Sequence, residues 1–175
     1  MTRTKAACSL SLTLLLALLL PKLAAAQQAD TVQILAERER LLLYQERIGQ
    51  VLGTWAIGSV GVGLYQTLSG GTFVRFMGYQ NVAWGAIDGA IALYGLWDQG
   101  RKRRADPSSI NWRREREAFA RRLLINAGLD LLYISVGAFL LARGKDERWR
   151  GTGAGILLQG SFLLLLDSIG YILVR

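Results

Sequence analysis

The sequence predicts an all-α integral membrane protein, a four-helix bundle that follows a cleaved N-terminal signal peptide. Three observations predict it. About half of the 175 residues are apolar, with 20 Gly and two Pro, a balance that suits closely packed membrane helices. Four hydrophobic runs, Ile48–Leu68, Phe73–Trp97, Phe119–Ala142 and Gly153–Val174, each reach about the ~20 residues that a helix needs to cross a bilayer. Three of the runs carry one aspartate each, Asp88, Asp130 and Asp167, with no basic side chain within a helical turn of it. A carboxyl in hydrocarbon is costly, so such residues face a bundle interior and often mark function.

Residues 1–26 read as the signal peptide. Arg3 and Lys5 make the positive start, Leu10–Leu20 the apolar stretch, and Ala24-Ala25-Ala26 the small-residue cleavage site, with Gln27 as the new N-terminus. Pro21 and Lys22 cut the apolar stretch too short for an anchor. Cys8, the sole cysteine, lies in this segment and there is no His. The mature chain therefore has no disulfide, no thiolate nucleophile and neither of the usual zinc ligands. No cofactor and no metal is expected.

Residues 27–47 read as an amphipathic interfacial helix. Asp30 or Thr31 caps it, Leu35 and Leu42 face the membrane surface, and Glu37–Arg40 face water. Residues 48–175 form the four-helix membrane domain. The runs lack the strict alternation of barrel strands, so helices are the spanning structure. The first run is the weakest, carrying Gly53, Thr54, Gly58, Ser59, Gly61 and Gly63. Between the second and third runs, Asp106-Pro107-Ser108-Ser109 is a turn and Asn111–Arg122 a charged lead-in. Trp97, Trp112 and Trp149 flank spans, where an indole suits the headgroup boundary. Gly151-Thr152-Gly153-Ala154-Gly155 lacks the Lys-Ser/Thr of a phosphate loop and reads as a flexible entry to the fourth span.

The net charge of +8 resides mostly in arginines between the runs. Anionic lipid headgroups are therefore the expected counter-charge, and nucleic acid is not. Another membrane protein or a further copy of this chain is the expected macromolecular partner, and a bacterial inner membrane the expected location. Orientation is in conflict. Four spans after a cleaved signal put Arg101–Arg122 outside, whereas its nine basic residues favour the inside. Either the signal peptide dominates, which is the preferred reading, or Ile48–Leu68 is re-entrant.

The carboxyls fall at one depth. Asp88 follows Arg75 by 13 residues, Asp130 precedes Arg143 by 13 and Asp167 follows Arg150 by 17, which places all three about 20–25 Å from the same face. Polar companions share their helix faces. Asn126, Asp130 and Tyr133 follow i, i+4, i+7 spacing, as do Asn81, Trp84 and Asp88, while Gln80 and Gln159 each lie eight residues before an aspartate. Asp88, Asp130, Asp167, Asn81, Asn126, Tyr133, Gln80 and Gln159 are thus the candidate intramembrane polar site. Ser59-Val60-Gly61 echoes Ser135-Val136-Gly137, as two related helical hairpins would.

The stretches Leu52-Gly53-Thr54-Trp55-Ala56, Gln80-Asn81-Val82-Ala83-Trp84, Asn126-Ala127-Gly128-Leu129-Asp130 with Tyr133, and Leu158-Gln159-Gly160 with Phe162 and Asp167 carry a resemblance. The chain resembles a family of small bacterial integral membrane proteins recorded as a domain of unknown function. The resemblance implies a signal-bearing four-helix membrane protein and brings no activity or cofactor. From the residues, the expected function is a non-enzymatic structural or interaction module whose side chains hydrogen-bond across helices. The alternative is a small transporter or channel subunit for protons, cations or a small polar solute. An enzyme is the weakest reading, since no nucleophile–base pair is visible.

Overall fold

A computed structural model of the protein describes residues 28–175. The expected signal peptide, 1–26, lies outside the described residues. The architecture is all-α, with no strand among the described residues: α1 (Arg3–Ser69, described from Gln28), α2 (Thr72–Arg104), α3 (Trp112–Arg143) and α4 (Glu147–Val174), with a 3-10 turn at Pro107–Ser109.

Local chemistry sets the breaks. Gly70-Gly71 separates α1 from α2, and α2 ends on Arg101, Lys102, Arg103 and Arg104, cations that complement the negative end of a helix dipole. Asp106 accepts a hydrogen bond from Ser108 N and caps the 3-10 turn, and the Ser108 bonds hold its carboxyl below the ordinary carboxylate range. Asn111 accepts from Arg114 N to start α3, and Asp146 accepts from Arg148 N and Trp149 N to start α4. Each cap satisfies backbone donors that have no partner within the helix.

The helices form two antiparallel hairpins, α1 with α2 and α3 with α4, joined chiefly through α2 and α4. α2 and α3 have no direct backbone packing. Glycines set the close approaches. A Cβ on Gly63 would sit 2.8 Å from Gly78 O, and one on Gly153 would sit 2.7 Å from Gly137 O. Such distances leave no room for a side chain, and they let backbones approach as small residues do in membrane bundles. The Gly151–Gly155 segment, expected to be a flexible entry, is instead the buried first turns of α4, with Gly151 and Gly155 against α2 and Gly153 against α3.

Two further expectations are corrected at the charged end of the bundle. Neither Leu42 nor Trp112 presents its side chain to the surroundings of the bundle, as an interfacial residue would. Both are buried, with Leu41, Leu123 and Val174, in an apolar core, and the Trp112 indole donates to Pro107 O at 2.8 Å. Residues 28–69 form one unbroken helix, so no re-entrant break occurs in Ile48–Leu68.

Among the described residues, three helices are long and apolar enough to cross a membrane: Gln28–Ser69, Trp112–Arg143 and Glu147–Val174. The first has the lowest mean hydropathy of the three, 1.2 against 1.8 for the others. α2 is not among them, although its run looked stronger than the first. Its polar side chains explain this. Asn81, Asp88, Gln99 and Lys102 are buried in the bundle, while Ile87, Ile91, Leu93, Leu96 and Trp97 are exposed. Average hydropathy counts groups that the outside of the bundle never meets.

Candidate functional site: an amide layer and an acidic cleft

The candidate polar residues divide into two layers. The first is built on Gln159, which is completely buried. Its Nε2 donates to Asn81 Oδ1 at 2.9 Å and to Ser59 Oγ at 3.2 Å, and its Oε1 accepts from Trp55 Nε1 at 2.7 Å. Asn81 Nδ2 in turn donates to Gln66 Oε1 at 2.8 Å. The Trp55 indole stacks on Phe162 with ring centroids 3.9 Å apart. One amide thus ties α1, α2 and α4 together with both its donors and its acceptor in use.

Ser59, Trp55 and Gln66 were not among the sequence candidates. Trp55, Ser59 and Gln66 are spaced i, i+4, i+11, which places them on one helix face. That spacing was the available cue, hidden among the small residues of the first run. Gln80 joins neither layer. Its side chain packs against Gly155 of α4.

The second layer lies seven residues along α2 and eight along α4, a separation of about 10–12 Å. Asp88, Asp130 and Asp167 are 1%, 3% and 8% exposed, and all three line one cleft of about 390 Å³ walled by residues of all four helices. Asp130 and Asp167 lie within hydrogen-bonding reach of each other, and Asn126 is in reach of Asp167. Two bare carboxylates have no donor between them, so that contact becomes a hydrogen bond only with a proton held in it. Asp88 Oδ2 and Asp130 Oδ2 are buried and have no hydrogen-bond partner. Tyr133 is half-buried, and Asn126 is exposed where it lines the cleft.

Side chains bridge the gap where the backbones of α2 and α3 do not meet. Trp84 and Tyr133 touch edge to face, with centroids 5.0 Å apart. Toward the charged end, Lys102 pairs with Asp98 at 2.7 Å and with Glu115 of α3, and Arg122 reaches Glu115 at 3.4 Å. Burial pushes the Asp98 carboxyl up, but hydrogen bonds and charge from Lys102 and Arg101 outweigh it and hold the carboxyl below the ordinary carboxylate range. Asp98, Gln99 and Arg122 belong to the cleft wall and were not sequence candidates either; Arg122 read as the end of the charged lead-in to the third span.

An all-helical bundle with a polar, glycine-lined interior, an apolar outer surface and three helices apolar enough to cross a membrane is the class that the fold and site define. The chain belongs to a family of unknown function (DUF6992), which matches residues 51–168. The matched range holds all eight candidate polar residues and agrees with the resemblance carried by the four stretches above. No curated protein and no solved structure matches the chain.

Proposed function

We propose that the chain is a multi-pass protein of a bacterial inner membrane that works without enzymatic chemistry and holds or passes a small polar or cationic solute in the acidic cleft. One observation carries the reading: two aspartates that line the cleft each keep a buried carboxyl oxygen without a hydrogen-bond partner. A purely structural polar layer would use those oxygens, because an unsatisfied buried acceptor costs about 1–3 kcal/mol. The outward face supports a lipid setting, since Leu68, Ile57 and Ile172 are each more than 70% exposed, and lipid makes such exposure harmless. Arg101, Arg104 and Arg113 at the charged end suit anionic headgroups.

A second reading, a structural or interaction module, is supported by the saturated Gln159 network. A proteoliposome proton and cation flux assay separates the two. On the solute reading, Asp130→Asn abolishes flux while the protein stays folded, because Asn cannot carry the charge. On the structural reading, wild type shows no flux.

A further inference from the structure

We propose that the acidic cleft binds a primary organic ammonium with a small apolar body. This rests on the solute-holding reading and names its ligand. The lining carries four carboxyls, Asp88, Asp98, Asp130 and Asp167, against one guanidinium, that of Arg122. Arg122 is engaged by Glu115, and Asp98 by Lys102 and Arg101, so the carboxyls without a basic partner are the three deep aspartates, of which Asp130 and Asp167 can share one proton. An anion is repelled there.

A bare metal ion has no cage, because among the described residues no three side chains of metal-ligating type are placed to hold one. The unpartnered Oδ2 atoms of Asp88 and Asp130 come from two different helices of the cleft wall, α2 and α3. A primary ammonium offers three donors on a compact head. Two match those oxygens, and the third has the Asn126 amide oxygen. A quaternary ammonium brings the charge without donors, and an alcohol brings a donor without charge. Both lose the charge-assisted bonds, which are roughly twice as strong as neutral ones.

The rest of the cleft is suited to an apolar body. Ile87, Ile91 and Leu129 line it beside the Trp84–Tyr133 pair, and aromatic faces add attraction for a cation. A volume of about 390 Å³ falls within the ~300–1,000 Å³ of small-molecule pockets. The ammonium belongs either to a free amine or to an aminolipid headgroup entering between α2 and α3, and the chemistry at the carboxyls is the same.

The test uses purified full-length protein with 2-phenylethylamine as the probe, compared with its N,N,N-trimethyl derivative and with 2-phenylethanol. Saturable binding of the amine is expected, with both comparators about tenfold weaker or more. Asp88→Asn and Asp130→Asn should each weaken the amine by about tenfold or more while leaving the detergent melting temperature near wild type. Nanodiscs of phosphatidylethanolamine and of phosphatidylcholine separate the sources. Competition by the former alone assigns the site to the lipid headgroup, and equal affinity in both assigns it to a free amine. Either outcome supports the ammonium site.

Equal binding of amine, trimethyl derivative and alcohol to wild type overturns the proposal whatever the variants do. So does unchanged binding in both Asn variants. If the amine fails to bind while Asp130-dependent proton or cation flux persists, the ammonium assignment falls and the solute reading stands. If both fail, both fall.

Discussion

Gln159 and Asp130 are both buried, and they use that burial differently. Gln159 spends every polar atom on its neighbours, whereas Asp130 leaves its buried Oδ2 without a hydrogen-bond partner. Replacing Gln159 by Leu strands Trp55 Nε1 and Asn81 Oδ1, at about 1–3 kcal/mol for each group. The Gln159→Leu variant should therefore melt several degrees lower in detergent, at roughly 2–4 °C per kcal/mol. Asp130→Asn, which preserves shape and removes no bond to Oδ2, should change melting little. Equal losses in the two variants would show that the layers do not divide as described. Asp98 makes a pH prediction. Its folded carboxyl is held below the ordinary range, so its stabilisation is complete above about pH 4 and is lost as pH falls through the lowered value. Melting curves taken between about pH 5 and pH 3 should fall more steeply for wild type than for Asp98→Asn.

Each hairpin is held by a pair of glycines whose backbones nearly touch. A Cβ on Gly137 would lie 2.6 Å from Leu157 N, against the backbone of α4 rather than a side-chain tip that could swing away. Gly137→Val should cost ~3 kcal/mol or more and separate α3 from α4, which loss of a folded peak in size-exclusion chromatography would report. Gly128 has open space where a Cβ would go. Gly128→Ala should be neutral or stabilise by up to ~1 kcal/mol, the helix-propensity gain.

Sequence pattern located the four helices well, because span length and apolar content are local properties. Pattern on one helix fixes which residues share a face, and it put Asn126, Asp130 and Tyr133 together. It does not say which helix lies opposite. For that reason the amides and acids read as one polar site, when Gln159 in fact meets Trp55, Ser59 and Asn81 at a different level from Asp167. Trp112 and Leu42 were misplaced for the same reason, since their partners come from distant parts of the chain.

Among the described residues the spanning helices place polar side chains inside and apolar ones outside, and arginines collect at the end that carries the connection from α2 to α3. The signal-peptide reading puts that end outside the cytoplasm. Reporter fusions at the exposed Ser108 should then be active for a secreted reporter and silent for a cytoplasmic one, and the reverse would mean that the positive charge sets the orientation. N-terminal sequencing of membrane-extracted protein should likewise begin at Gln27, and an intact Met1 would make the first segment an anchor.

The cleft itself is tested most directly by thiol labelling in membranes. The background is Cys8→Ser, which removes the sole native cysteine. In it, Asp130→Cys is compared with Leu132→Cys, two residues on, where the native side chain is 57% exposed on the outer surface. A water-soluble cationic methanethiosulfonate reacts with thiolate, which forms only where water and polar groups reach. Labelling at position 130, slowed by its burial, and none at 132 is the result expected of a polar cleft inside an apolar shell. Labelling at 132 with protection at 130 would contradict it.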